Sequence, residues 1–156
     1  MFERFAPSAR ETVTSAVHEA QIRGDRRIGT DHLFIGMLHD QEIVDALGVT
    51  LRHALDVDAD LDSTALRAIG LNISGAASAW STPPRMSRTA FSTGAKNVMR
   101  SALATAVASH SGTIKVHHIA VALLRLKAPD PAAALAAGLG IDATEAIAKL
   151  TRSEAA

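Results

Sequence analysis

Histidine and carboxylate side chains are the groups in this sequence that could hold a metal ion or move a proton. The chain has seven histidines, 16 aspartates and glutamates, and no cysteine. His32 with His39, or His117 with His118, could be drawn as zinc ligands. However, adjacent helical residues point about 100° apart, and His32 and His118 begin apolar segments, where a hydrogen-bonded packing histidine fits better. We therefore predict no metal site.

Arrangements typical of catalysis are missing from the sequence. The carboxylates of residues 56–62, "DVDADLD", lack the glycine and the terminal glutamate of a calcium-binding loop. No Ser/His/Asp or Cys/His arrangement stands out, and the phosphate-binding string G-x-x-x-x-G-K-S/T does not occur. We predict that the protein is not an enzyme, has no cofactor and does not bind ATP.

Two parts of the chain match each other when the sequence is shifted by 86 residues. Residues 5–40 then align with residues 91–126 without a gap, and many further positions exchange one apolar residue for another. The identical pairs number eight in 36 positions: Phe5/Phe91, Ala9/Ala95, Ser15/Ser101, Ala16/Ala102, Ala20/Ala106, Ile28/Ile114, His32/His118 and Leu38/Leu124. Because the large apolar residues recur in register, we interpret the match as an internal repeat.

The elements that carry this pattern are predicted to be helices. Each copy starts with small and apolar residues at helical spacing, which indicates an amphipathic helix that ends near Gly24 in copy one and near Gly112 in copy two. A second helix is predicted to open at Thr30, with the threonine hydroxyl as its cap. The strings "LGVT", "IGLN" and "LGID" each place an apolar and a polar residue after glycine, which predicts a helix stop followed by a start.

The predicted architecture is all-α, with two tandem four-helix repeats related by pseudo-two-fold symmetry in one domain of residues 1–156. Repeat one covers residues 2–60 and repeat two covers residues 91–150. A linker is predicted at about 75–90, since the two prolines of "STPPR" exclude a continuous helix there.

Charge is divided unevenly along the chain although the net charge is zero. Residues 1–62 hold 6 Lys and Arg against 12 Asp and Glu, whereas residues 63–156 hold 10 against 4. This division favours attraction between the halves; the alternative is a basic face for an acidic partner. With no tyrosine and one tryptophan, nucleic acid is not favoured as a partner. No apolar run approaches a membrane span, so we expect no membrane contact and a cytoplasmic protein.

Several motifs, in order, resemble the amino-terminal domain of the Clp unfoldases, especially of the ClpC and ClpA type. They are the opening "MFERFAPSAR", the segment "IGTDHLFIGML", close to the pattern I-G-T-E-H-hydrophobic-L-G-L, the stop "ALGV", and "FSTGAKNVM" at the start of the second half. The resemblance covers nearly the whole chain and is weaker in the second copy, where "KVHH" stands for G-T-E-H.

The resemblance implies a double four-helix domain that binds adaptors, substrates or degradation tags for a ring ATPase. In ClpC-type members the tag includes phosphorylated arginine, held by the acidic residue of G-T-E-H and a hydroxyl at the start of each first helix. By position, the acidic residue corresponds to Asp31 in copy one and His117 in copy two. The hydroxyl is absent at Ala6 and kept at Ser92, so neither copy matches the family's site completely.

The same family binds peptides and cyclic-peptide antibiotics in a groove between the repeats. The resemblance places Phe2, Phe5, Phe91 and Lys96 at this groove, although a core position fits Phe5 and Phe91 better and leaves Phe2 as the surface contact. We therefore predict a non-enzymatic protein- or peptide-binding module, a free-standing Clp accessory or decoy. The alternatives are a protein that sequesters cyclic-peptide antibiotics and, less favoured, a helix-turn-helix DNA-binding regulator.

Overall fold

The computed structural model describes residues 2–71 and 90–155, with the side chain of Phe2 left out, and this part of the chain is almost entirely helical. It begins with a 3-10 turn at Phe2–Arg4. The α-helices that follow are α1 (Pro7–Arg23), α2 (Thr30–Met37), α3 (Gln41–Leu47), α4 (Leu51–Ala68), α5 (Thr93–Ala108), α6 (Val116–Leu124), α7 (Pro131–Gly138) and α8 (Ala143–Ala155). No helix in this part is long and apolar enough to cross a membrane.

Helix boundaries follow the glycine and capping signals of the sequence at most positions. Helix α1 ends at Gly24, whose φ of 74° is the left-handed conformation that glycine adopts without steric cost. The "LGVT" and "LGID" motifs behave as predicted, since Thr50 caps α4 and the Asp142 carboxylate accepts from the Glu145 amide. The "IGLN" motif runs into residues outside the described part.

Helix α2 begins at Thr30 as predicted, but the predicted cap of α2 and the predicted end of α5 were wrong. Thr30 does not cap α2: it is the first residue of the helix, and its hydroxyl donates to Asp130 Oδ1 of the other repeat at 2.7 Å. Helix α5 ends at Ala108, well before Gly112, since the chain already turns at His110 with a φ of 55°. The polar run after Ala108 therefore forms a loop rather than a last helical turn.

Two short parallel β-bridges join the repeats at their centre. Strand β1 (Arg27–Ile28) pairs with β2 (Ala90–Phe91) so that Ile28 lies opposite Phe91. Phe5 lies opposite Ile114 in the second bridge. Shifting either pair by the repeat length gives the other pair, so the bridges exchange under the pseudo-two-fold axis. In each repeat, the segment before the second helix therefore pairs with the segment before the first helix of the other repeat.

The core lies along the second helix of each repeat. Helices α2 and α6 are buried over nearly their whole length and contact each other. Around them the packing follows the two-fold axis, because α3 contacts α8 and α4 contacts α7. Gly36 marks a close approach of α2 to the backbone of α1, since a Cβ there would lie 2.4 Å from the Thr12 carbonyl oxygen.

The predicted all-α fold of two four-helix repeats is confirmed. The linker predicted at about 75–90 lies outside the described residues apart from its last position, and the repeat boundaries stay a prediction. Each ion pair among residues 2–71 and 90–155 stays inside one half, and attraction between the oppositely charged halves stays a prediction. Apolar packing, the two bridges and the hydrogen bond from Thr30 to Asp130 join the repeats.

Candidate functional site

Asp31, the carboxylate predicted to bind an arginine tag, already contacts an arginine of the same chain. Arg23, the last residue of α1, places Nη1 3.2 Å from Asp31 Oδ2 and Nη2 2.7 Å from Asp58 Oδ2 of α4. Although the Nη2 contact departs from hydrogen-bond angles, charge attraction at 2.7 Å does not depend on that angle. The guanidinium therefore lies between two carboxylates, and we call these three residues the Arg23 clamp.

In the Arg23 clamp, burial affects the pKa of Asp58 more strongly than the charge of Arg23 does. Asp58 is only 8% exposed, and this burial raises the pKa of its carboxyl, while the Arg23 guanidinium lowers it and compensates only in part. The nearby carboxylates of Asp62 and Asp31 raise the pKa further. The positive charge of Arg23 thus offsets part of the repulsion among the carboxylates of Asp58, Asp31 and Asp62.

His32 and His118 have the same structural role in the two repeats. The Nδ1 atom of His32 accepts from the Gly29 amide at 2.8 Å, and that of His118 accepts from the Lys115 amide at 2.9 Å. In the neutral ring the proton is then on Nε2, which faces a carboxylate in each repeat, Asp25 in one and Glu154 in the other. The prediction of hydrogen-bonded packing histidines is confirmed.

His117, the counterpart of Asp31, lies beside His118 and points to the same carboxylate. Its Nε2 is 3.2 Å from Glu154 Oε1, and the Nε2 of His118 is 2.7 Å from that oxygen. Although adjacent helical residues point about 100° apart, both imidazoles reach Glu154 because this residue of α8 lies between their two directions. We call these three residues the His117 cluster.

The His117 cluster shifts the titration of two of its members. Burial lowers the pKa of the His118 imidazole, and the Glu154 carboxylate, acting in the opposite direction, compensates in part. Burial alone would raise the pKa of Glu154, but the two imidazoles outweigh this effect, so the pKa is lowered. A neutral His118 that donates to an ionised Glu154 is the resulting state.

A shallow, mostly apolar groove runs along α1, lined by Glu3, Arg10, Val13 and Thr14. Arg10 is fixed at its edge, because its Nε donates to the Phe5 carbonyl at 3.1 Å. Val13 forms the apolar floor, whereas the other three side chains are exposed. We call this surface the α1 groove.

Comparison with known proteins identifies the fold. No family model matches the sequence. A crystal structure of the amino-terminal domain of the caseinolytic protease associated chaperone ClpD from Arabidopsis thaliana is similar to the whole chain, with a TM-score of 0.73. The similarity covers 100% of this chain and 97% of that one at 21% sequence identity. The fold is that of a Clp amino-terminal domain.

Within this Clp amino-terminal fold, the phenylalanines predicted for the peptide groove occupy equivalent places. Phe5 is buried and Phe91 half-buried, and each takes part in one of the bridges between the repeats. Phe5 has the core position favoured for it, and Phe91 packs against the core while staying partly exposed. The binding roles of both stay a prediction. The side chain of Phe2 is outside the described part, although its backbone precedes Glu3 of the α1 groove.

Ser92 and Lys96 lie at the start of the first helix of repeat two. The Ser92 hydroxyl caps α5 by accepting from the Ala95 amide at 3.1 Å. Lys96 is exposed and is the repeat counterpart of Arg10, so it occupies the corresponding position on α5 rather than the lining of the α1 groove. Their binding roles stay a prediction.

Three residues that shape the candidate sites were missed by sequence reasoning: Arg23, Asp58 and Glu154. Arg23 stands just before the glycine that ends α1, a position where a basic residue suits the helix dipole. That signal predicts a cation at the helix end but not its partners. Asp58 and Glu154 belong to the last helices of their repeats, and only tertiary packing brings them to the motif.

Proposed function

We propose that this protein is a non-enzymatic binding module related to the Clp proteases, working in the cytoplasm as an accessory or decoy. It takes an apolar segment of a substrate or adaptor protein in the α1 groove. The groove itself is the observation that carries the proposal, because it combines an apolar floor with exposed charges of both signs at its rim. Such a surface binds an extended peptide through its side chains and orients it through its polar groups.

Phosphoarginine is a weak ligand under this proposal. A guanidinium from outside would compete with Arg23, which is already held by both Asp31 and Asp58. In repeat two, His117 has no carboxylate to offer, and Glu154 is engaged by His118. Neither inherited position therefore has a free acidic partner for the arginine side chain.

Sequestration of cyclic peptides is the second candidate, and the same groove supports it. The exposed rim residues Glu3, Arg10 and Thr14 leave the groove open to solvent along α1. A compact ring can therefore enter as readily as an extended chain. Binding of an apolar cyclic peptide without binding of unfolded protein would favour this candidate.

A bulky side chain at Thr14 is expected to block the α1 groove. Fluorescein-labelled casein serves as the unfolded probe, and its binding is measured by fluorescence anisotropy. Because Thr14 is exposed and lines the groove, Thr14→Trp should weaken binding about tenfold, or about 1.4 kcal/mol. The matched control is Glu11→Trp, which places the same side chain at an exposed position of α1 outside the lining.

The same titration separates the alternatives. Equal binding of casein by Thr14→Trp and Glu11→Trp would contradict the α1 groove. Tight binding of free phosphoarginine would contradict its assignment as a weak ligand. An oligonucleotide whose affinity falls steeply with added salt would instead indicate the DNA-binding alternative. The Phe2→Ala variant tests the surface contact predicted from the sequence and should reduce casein binding.

A further inference from the structure

The His117 cluster contains a buried nitrogen that faces a carboxylate but makes no hydrogen bond of acceptable geometry. The Nε2 atom of His117 is buried and makes no hydrogen bond, although Glu154 Oε1 lies 3.2 Å away. If the proton is on Nδ1, a nitrogen lone pair faces an ionised carboxylate across this gap. Both groups are then electron donors, and a cation between them would satisfy both.

We propose that His117 and Glu154 bind a divalent transition metal of the zinc class, with His118 as the residue that orients the carboxylate. This site goes beyond the proposed binding function and does not depend on it. It replaces the prediction of no metal site, which assumed that adjacent histidines cannot share a centre.

The distance between the two donors suits such an ion. Zinc binds imidazole nitrogen and carboxylate oxygen at about 2.0–2.1 Å in tetrahedral geometry, which separates neighbouring donors by about 3.3 Å. The 3.2 Å between His117 Nε2 and Glu154 Oε1 matches this spacing. Calcium and magnesium, which prefer all-oxygen coordination, do not suit a site with an imidazole donor.

His118 acts on the metal through Glu154 rather than as a ligand. Its Nδ1 accepts from the Lys115 amide, so its Nε2 carries a proton and donates to Glu154 Oε1. Direct ligation would require moving that proton to Nδ1 and losing the bond to the Lys115 amide. Hydrogen bonds to a ligating carboxylate fix its orientation, which is the role we assign to His118.

Solvent completes the coordination. Because His117 Nε2 is buried, water would reach the ion from the side of Glu154, whose side chain is 15% exposed. The site joins α6 to α8, so an ion there would tie the last helix to the core.

In repeat one, the corresponding position has a positive charge beside its carboxylate. There the residue equivalent to His117 is Asp31, and the Arg23 guanidinium supplies its cation. In repeat two the His117 cluster has a carboxylate and an imidazole but no basic residue in ion-pair contact among those described. A metal ion would supply the missing positive charge.

Isothermal titration of the chelator-treated protein with zinc sulfate tests the proposal. We expect one zinc ion per chain, no heat from magnesium, and a rise in the melting temperature with zinc. His117→Ala should weaken zinc binding at least about tenfold, as should His118→Gln through loss of the orienting bond. His39→Ala, which removes an exposed histidine of repeat one, should leave zinc binding unchanged.

Two results would overturn the site. One is zinc affinity that survives His117→Ala, since the ion would then be held elsewhere. The other is a wild-type protein that binds zinc no better than His117→Ala does. If His117→Ala fails to fold by circular dichroism, His117→Gln preserves the side-chain volume and must lose zinc binding in the same way.

Discussion

Replacing Arg23 with alanine is expected to lower the free energy of unfolding by about 3 kcal/mol. The substitution leaves Asp58 as a buried carboxylate without its counter-charge, beside the carboxylates of Asp31 and Asp62. Removing one partner of a buried ion pair is costly because the remaining charge is already out of water. Urea denaturation followed by circular dichroism measures the change.

Arg52→Ala is the matched control, because the ion pair of Arg52 with Asp56 is exposed at both ends. Little measurable change is expected for that variant. A similar loss in both variants would show that the burial of the Arg23 clamp is not what makes it important.

The destabilisation of Arg23→Ala should also depend on pH. Burial already raises the pKa of Asp58 in the folded protein, and loss of the arginine raises it further. The folded variant then binds a proton that the unfolded chain releases, so its stability rises as the pH falls. The gap between Arg23→Ala and the wild-type protein should therefore narrow as the pH falls from neutral through the raised pKa of Asp58 in the variant.

Gly36→Ala is expected to destabilise the protein by about 2–3 kcal/mol. The new Cβ would meet the Thr12 carbonyl oxygen at 2.4 Å and the Ala16 nitrogen at 3.0 Å. Both are backbone atoms of α1, so the helices must separate. Alanine within a helix otherwise stabilises by about 1 kcal/mol relative to glycine, and a loss would show that the clash dominates.

The control for Gly36→Ala is Gly112→Ala, where a Cβ would meet nothing within 4 Å. Its unfolding free energy should stay within about 0.5 kcal/mol of the wild type. Thermal and urea denaturation report both variants. A Gly36→Ala protein as stable as Gly112→Ala would mean that α1 and α2 move apart without cost.

The tight approach is specific to repeat one. The repeat counterpart of Gly36 is Ala122 of α6, which is buried and accommodates its methyl group. The α1–α2 pair therefore packs more closely than α5–α6, although both follow the same pattern of small and apolar residues. This difference in helix packing between the repeats cannot be predicted from the hydrophobic pattern of the sequence.

Sequence reasoning reached the fold because the repeat and its helix signals are local. Phe5 with Phe91, and His32 with His118, were paired by a simple shift of the chain, and the structure gives each pair equivalent contacts. The local sequence pattern is sufficient to predict the fold when the same short segment makes equivalent contacts in both repeats.

The candidate sites were reached only in part, because their partners come from distant helices. The motif pointed to Asp31 and His117, but Arg23 meets Asp58 only after α1 has packed on α4. Glu154 meets the histidines only after α8 has packed on α6. A helical pattern predicts which face of a helix is buried, not which charged side chains of other helices lie beside it.

The crossed β-bridges have a consequence for any fragment of this protein. Each bridge joins segments far apart in the chain, Phe5 with Ile114 and Ile28 with Phe91, so forming either one first requires closure of a long loop. A fragment with one repeat would keep both of its bridging segments unpaired, as open strand edges. Since the bridges exchange by two-fold rotation, a second copy of that fragment could fill both edges, and isolated repeats are thus disposed to form symmetric dimers.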